Sequence, residues 1–451
     1  MMGLVSSDRR HAVVIGASIG GLCAAGVLSE SFDRVTVLDR DKLPEEPAAR
    51  RGVPQSRQLH ALLARGRAVL EDLFPGTNER LLAAGALEMD LQSDLHWYLD
   101  GRLLRPEPSG LIGLAVSRPA LEAVVRSQVV DLAEVTIMDG CDVTGLTSSS
   151  DMGRISGVRI RTRSDGRSSS VLDADLVVDA AGRGAHTSAW LDELGYQPAP
   201  EESVRIELAY LSRFYRREAH HLGGRIGTAI APYPGQNRSG FVNAQEGGRF
   251  MVTLSSCGGE ELPTRDAAMA EYADSLVAPD VAEIIRTATP LTEPVLMRYP
   301  ASVRRRYELL DRFPEGYLVI ADALCSFNPI YGQGMTVAAL EARLLQRLLR
   351  EDHDDLCRRF FTAVSELLDT PWNLIMSGDL RFPFVEGERS EGLLAMGEYL
   401  DRYREAATLD ATLATELIRV MNMVDEPARL MAPDLEARVR SASRTVPASD
   451  V

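Results

Sequence analysis

The chain has 451 residues, with 49 Lys and Arg against 65 Asp and Glu, a formal charge of −16, and 45% hydrophobic and 25% charged residues. These proportions exclude collagen-like, disordered and disulfide-scaffold chains, and the length predicts two or three domains with large cores. The acidic balance excludes nucleic acid as a main partner, since phosphate binding needs a basic face, and five cysteines at 23, 141, 257, 325 and 357, with no CxxC spacing, read as free thiols of a reducing cytoplasm without a Cys-based metal site.

Residues 1–10 are predicted as a loose tail. Arg9 and Arg10 precede an apolar stretch, 11–28, that imitates an export signal, but its four glycines fall in an order that builds a strand, a turn and a helix. No other window approaches the ~20 apolar residues that span a bilayer. Residues 11–15 are an apolar strand, Gly16 to Gly21 a turn, 22–29 an Ala-rich helix and 35–38 a strand ending at Asp39, together a βαβ unit of about 30 residues. A polar loop over 41–55 is too long for a plain connector. Residues 57–74 carry Leu59, Leu62, Leu63, Val69 and Leu70 at helical spacing. Asp100-Gly101 marks a hairpin over 95–104, and 118–132 is a helix with Pro119 in its first turn. Strands at 135–138 and 158–161 flank a Ser- and Gly-rich stretch read as a surface hairpin, and an apolar strand at 174–178 runs into Asp179.

From about 205 to 255 the hydrophobic period becomes two. Residues 206–210 alternate, and Phe250, Val252 and Leu254 recur at every second position, which predicts an antiparallel sheet with one exposed face. The nucleotide-type pattern then returns with a strand at 317–321 and a helix at 335–351. Everything after about 360 reads as helical, with Leu393, Met396, Leu400 and Tyr403 on one face, and 441–451 as a frayed end.

Two motifs carry chemistry. Gly16-Ala17-Ser18-Ile19-Gly20-Gly21 sits between a strand and a helix, with Asp39 following 23 residues after Gly16. This is the dinucleotide fingerprint, with Ser18 in place of its middle glycine. Gly16 makes the tight turn, Gly21 allows close packing, the helix N-terminus faces phosphates, and Asp39 accepts hydrogen bonds from a ribose. The second is Ala321-Asp322, followed by Phe327-Asn328-Pro329-Ile330-Tyr331-Gly332-Gln333-Gly334-Met335. A carboxylate leaving an apolar strand needs a partner. A ribityl hydroxyl suits it, and free N–H groups where the glycines open a helix can stabilise charge at a flavin's pyrimidine end. Asp322 is also readable as a helix cap.

With Asp179-Ala180-Ala181-Gly182-Arg183, these segments resemble the three signatures of the single-component FAD monooxygenases of the para-hydroxybenzoate hydroxylase fold. Arg51-Gly52-Val53-Pro54-Gln55, His60-Ala61-Leu62-Leu63, Phe327 to Gly332, Asp369-Thr370-Pro371-Trp372 and Asp379-Leu380-Arg381-Phe382-Pro383 are similar to the flavin epoxidases of polyether antibiotic biosynthesis, the monensin and lasalocid type. The resemblance spans roughly residues 10–385. Ser18 and Ala321 depart from its usual glycines.

The fold it implies is α/β. A Rossmann-type FAD-binding domain occupies 10–90, 113–198 and 296–358. A substrate-domain hairpin at 91–112 and an antiparallel-sheet substrate domain at 199–295 are inserted into it, and a helical C-terminal region spans 359–440. The implied cofactor-binding set is Gly16, Ser18, Ile19, Gly20, Gly21, Asp39, Arg40, Arg51, Gln55, Arg118, Val143, Asp322, Pro329, Gly332, Gly334 and Met335. Tyr210, Phe214, Phe241 and Phe250 are expected along the substrate. Asp179 either helps position FAD and nicotinamide or caps the next turn.

The implied activity is that of a cytoplasmic monooxygenase using a flavin C4a-hydroperoxide to epoxidise an alkene of a hydrophobic secondary metabolite, such as a polyketide. Only one dinucleotide fingerprint is present, so NADPH or NADH is expected as a transient reductant, or a separate flavin reductase in its place. An aromatic hydroxylase or a geranylgeranyl-reductase-like ene-reductase is the alternative. A halogenase is disfavoured because Trp97, Trp190 and Trp372 form no WxWxIP. No metal is expected and no catalytic side chain is assigned. His60, His186, His220 and His221 are the candidates for a base.

Overall fold

A computed structural model describes residues 10–162, 169–352 and 354–443. The expectations for 1–9 and 444–451 lie outside the described residues, while 441–443 close the helix Pro433–Ser443 instead of fraying.

A five-stranded parallel sheet forms the first layer, in the order Tyr317–Val319, Leu176–Asp179, His11–Ile15, Arg34–Asp39 and Val135–Asp139. Its inner strands are mostly apolar and almost wholly buried because both faces are covered. The helix Ile19–Leu28 lies against the helix Gly334–Glu351, so the two glycine-led helices start side by side at the sheet's C-terminal edge. The 135–139 strand completes this sheet beside Arg34–Asp39. The surface hairpin is formed instead by Cys141–Ser148 and Ile155–Thr162, with Ser169–Asp173 as a third strand.

An eight-stranded sheet forms the second layer. Its order is Cys325–Ser326, Val295–Arg305, Glu201–Arg216, Arg249–Ser256, Arg238–Gln245, Gly227–Ile230, Leu95–Leu99 and Arg102–Leu103. Asp100 and Gly101 turn the last hairpin with φ of 49° and 74°, the positive angles that a two-residue hairpin turn requires.

The period-two pattern has two buried faces here, not one exposed face. Phe250, Val252 and Leu254 pack with Leu211 and Tyr215 onto Met269, Tyr272, Val281 and Ile284 of two short helices. Met251, Thr253 and Ser255 point the other way and are also buried, because that face walls a cavity.

The helix expected over 57–74 is shorter. Residues Pro54–Arg57 form a 3-10 turn, and Leu62 exchanges backbone hydrogen bonds with Leu114 at 2.9 Å in both directions. That bridge needs an extended backbone, so the helix runs only over Ala64–Leu73. The helices Leu356–Asp379, Glu391–Ala406, Ala411–Met421 and Pro433–Ser443 follow the second layer. The last three build a core with Met89, Leu91, Leu95 and Leu104. All five cysteines are buried and free. Among the described residues no helix is long and apolar enough to cross a membrane.

Candidate active site

A cavity of about 720 Å³ lies between the C-terminal ends of the parallel strands and the inner face of the second sheet. Gly16, Ser18, Ile19, Gly20, Asp39, Arg40, Gln55, Arg118, Val143, Asp322, Pro329, Gly332, Gly334 and Met335 border it, as do Tyr210 and Phe241. Gly21, Arg51, Phe214 and Phe250 do not. The strand parity turns Phe250 to the opposite face, into the core against Tyr215. Phe214 is on the cavity side but past the end of the wall, where the Arg249 guanidinium covers its ring at 4.1 Å. Gly21 packs inward, and Arg51 is exposed while its neighbour Arg50 is the buried guanidinium of the loop.

At one end the first βα turn is built by close approach. Gly16 has φ 101° and donates to the Leu38 carbonyl at 2.7 Å, and a Cβ on Gly21 would sit 1.8 Å from the Gly16 oxygen. The N–H groups of Ile19, Gly20 and Gly21 head the helix without intrahelical acceptors. Asp39 accepts from the N–H of Ala17 and of Asp41, both at 2.8 Å, and from Arg50 at 3.0 Å. Arg50 also donates to Glu122 at 2.8 Å and to the Ala17 carbonyl at 3.0 Å. Burial alone disfavours the Arg50 charge, but Glu122 and Asp39 override it and raise its pKa.

Ser18 links this cluster to the neighbouring helix. Its hydroxyl accepts from Arg118 at 2.7 Å and donates to Glu122 at 3.0 Å. Arg118 Nε is buried with no hydrogen bond, and the Glu122 carboxylate stands 3.8 Å away. Burial lowers the Arg118 pKa, opposed by Glu122 and Asp322.

Beside that helix start Ala321 adopts φ 54° and donates its N–H to Glu341 at 2.6 Å. Glu341 is fully buried, and burial pushes its pKa up to about 8. Gly20 is required beside this turn, because a Cβ there would come within 2.7 Å of the Ala321 Cβ. Asp322 then faces the cavity, its pKa raised by burial and pulled back by Arg118 and Arg183. The Asn328 to Gly332 loop is anchored on Asp379, which accepts from Asn328 Nδ2 at 3.0 Å and from the Tyr331 hydroxyl at 3.1 Å. Gly378 makes room, since a Cβ there would lie 2.1 Å from the Tyr331 oxygen.

Burial pushes the Asp379 pKa up to about 7. A raised carboxyl pKa means that the folded chain holds a proton the unfolded chain has lost, so stability drains away as pH rises from about 4 to 7. Asp379→Asn removes that term. Measured by Tm, the variant should gain on wild type across this window, and the difference should level off above pH 7.

The histidines divide. His60 and His186 border the cavity, and His220 and His221 do not. His60 donates from Nδ1 to the Gln58 carbonyl at 3.0 Å, leaving Nε2 bare, and burial with Arg118 nearby pulls its pKa down to about 4. It is neutral and a weak base. Glu218, His220 and His221 lie within 4.8 Å of one another, but His221 Nδ1 already accepts the Glu218 N–H at 3.1 Å. Asp179 is sealed from the cavity. It accepts from Ala181 N, the Thr187 hydroxyl and the Tyr317 hydroxyl, and so fixes the turn after its strand.

The donor set fits a dinucleotide. It combines a helix N-terminus free of partners, a buried guanidinium nitrogen without an acceptor, and a carboxylate at the end of the second strand. A second glycine-led helix start at Gly334 lies farther along the same cavity.

No protein-family model matches the chain. Among solved structures it is similar to PqsL, a probable FAD-dependent monooxygenase from Pseudomonas aeruginosa, with a TM-score of 0.60 at 20% identity over 82% of this chain and 98% of that one. It is also similar to the flavin-dependent brominase Bmp2, with a TM-score of 0.67 at 14% identity over 96% and 98%. The flavin-dependent halogenase CmlS gives 0.64 at 16% identity over 89% and 72%. The architecture is therefore the α/β FAD-binding fold shared by such monooxygenases and halogenases. In sequence, 440 residues are 34% identical to protein Rv3254 of Mycobacterium tuberculosis (strain ATCC 25618 / H37Rv), covering 94% of this chain and 92% of that protein, and the chain belongs to the Rv3254 family.

Proposed function

We propose that the chain is an FAD-dependent monooxygenase that epoxidises an alkene of a hydrophobic secondary metabolite, such as a polyketide chain. The observation that carries this reading is one cavity that runs from two neighbouring helix N-termini to a sheet wall. Bound FAD supplies two-electron chemistry and oxygen activation. The first helix start, with Ser18 and Arg118, holds the diphosphate, and Asp39 holds the adenosine ribose. Asp322 takes the ribityl chain, and the Asn328 to Gly332 loop and the Gly334 helix start face the pyrimidine edge, where N–H groups favour negative charge. The parts at 10–90, 113–198 and 296–358 thus serve as the cofactor domain, and the inserted sheet at 199–295 presents the alkene and excludes water.

In the balanced reaction NADPH or NADH, directly or through a reductase, gives a hydride, solvent gives a proton, and O2 is split. One oxygen atom bridges the alkene carbons and the other leaves as water. Epoxidation needs no side-chain base, whereas phenol hydroxylation gains from one. The cavity histidine that is part-buried, His60, is neutral and weakly basic, which favours the alkene.

The test is to purify the chain, identify its flavin, and supply NADPH or NADH, ¹⁸O-labelled oxygen and candidate alkenes. One labelled oxygen per product is expected. A product that gains two hydrogens and no label would replace this reading with an ene-reductase, and colourless protein unable to take up FAD would end it.

A further inference from the structure

The inner face of the second sheet is a ruled surface, because residues directly opposite across the ladder share a face. Tyr210 lies opposite Ser255, Phe241 opposite Thr253, and Asn243 opposite Met251. The cavity crosses these rows diagonally. It starts at Tyr210, whose side chain feels both Arg183 and Asp322, passes Ser255, Thr253 and Phe241, and reaches Asn243. From Ser255 to Met251 is four residues, about 13 Å along the strand, and from Glu201–Arg216 to Arg238–Gln245 is two strand spacings, about 10 Å, so the ends lie roughly 16 Å apart.

The wall between these ends offers little to a polar ligand. Thr253 is spent on Ser212 and Ser255 on Ser239, both at 2.6 Å. Asn243 is different. It is 96% buried, borders the cavity, and its Oδ1 has no hydrogen-bond partner. Gln58 and Gln333 also border the cavity with a bare amide oxygen, but each spends its nitrogen on a backbone carbonyl, Val295 at 3.2 Å and Met421 at 3.0 Å. No such bond holds Asn243 among the described residues. A buried carboxamide left bare loses its solvation without a replacement bond, and natural cores rarely keep one without a use. A carboxamide can present its N–H or its C=O by a simple flip, so it suits a hydroxyl or a carbonyl equally.

Resting on the monooxygenase reading above, we infer that the substrate is an elongated, uncharged molecule whose reacting end lies near Tyr210 and whose remote end carries a hydroxyl or carbonyl oxygen held by Asn243. An extended chain gains about 1.2 Å per bond, so the span requires about a dozen bonds. A bare hydrocarbon leaves Asn243 unpaired, and a short molecule cannot reach it. The wall between is neutral, so a remote carboxylate would find no cation there. Arg183 stands at the opposite end, over Tyr299 at 4.4 Å.

The experiment titrates the FAD-loaded protein with farnesol, geraniol and farnesene and follows the flavin absorption spectrum. Farnesol has both the length and the oxygen, geraniol only the oxygen, farnesene only the length. Farnesol should bind at least tenfold more tightly than either. Asn243→Leu should weaken farnesol about tenfold and leave farnesene unchanged, with FAD content and Tm as controls on folding. Geraniol or farnesene binding as tightly as farnesol, or no spectral response to any of the three, overturns the inference while the flavin itself still stands. So does a variant that loses farnesol and farnesene alike. Failure to hold FAD at all is a separate result, seen before any titration, and falls on the monooxygenase reading instead.

Discussion

Replacing Gly21 with alanine is expected to cost about 3 kcal/mol or more and to strip the chain of its ability to hold FAD. The added Cβ would sit 1.8 Å from the Gly16 carbonyl oxygen and 2.9 Å from its carbon. Those are backbone atoms, so no side chain can swing away. Gly16 cannot yield either, because its φ of 101° and its hydrogen bond to Leu38 are fixed by the strands on both sides. The helix must therefore tilt or slide from the sheet, which moves the N–H groups of Ile19 and Gly20 away from the cavity. Overpacking of this kind commonly costs about 1–3 kcal/mol, and a backbone partner puts this case at the top of that range. Thermal unfolding and the ratio of flavin to protein absorbance read the two effects. Gly397→Ala is the matched control. It lies in the helix Glu391–Ala406 with nothing within 4 Å of the new Cβ, and should stabilise by about 0.5–1 kcal/mol. Equal behaviour of the two variants would show that the close approach is not limiting.

That turn was legible in the sequence because its determinants are local. Gly16, Ser18, Gly20, Gly21 and Asp39 span one βαβ unit, and spacing alone places them. The same holds for Asp322 and the glycines that follow it. Residues coupled over long separations gave no such signal. Arg50 and Glu122 are 72 positions apart and Asn328 and Asp379 are 51 apart, yet each pair forms one buried unit. Arg50 and Arg51 are adjacent and chemically identical, so only the folded loop tells which turns inward. Alternation along residues 250–254 announced a strand but not which face met the core. Phe241 and Phe250 therefore read alike and ended on opposite sides. The Leu62 bridge to Leu114 likewise overrode a helical pattern that was real as a pattern.

The buried charges around Arg50 make the second large prediction. Asp39, Asp41 and Glu122 face Arg50 at 3.0, 3.3 and 2.8 Å, and Arg118 and Arg126 approach Glu122 at 3.8 and 3.9 Å. Three carboxylates and three guanidiniums thus balance in a nearly dry pocket at the edge of the cavity. Arg50 is the member that touches all three acids. Arg50→Met keeps much of the volume and leaves two of the acids, Asp39 and Asp41, without their guanidinium. Breaking a buried pair from one side costs about 3–5 kcal/mol, a large share of the roughly 5–15 kcal/mol that holds a domain folded. Adding Asp41→Asn should recover part of the loss, because it removes one of the charges that Arg50 had balanced. The double variant should then be more stable than the sum of the single effects by about 0.5–3 kcal/mol, the coupling expected of residues sharing one network. Chemical denaturation of the four proteins measures it. Strict additivity would mean that Arg50 stabilises by packing its stem, and that Asp41 does not depend on it for charge.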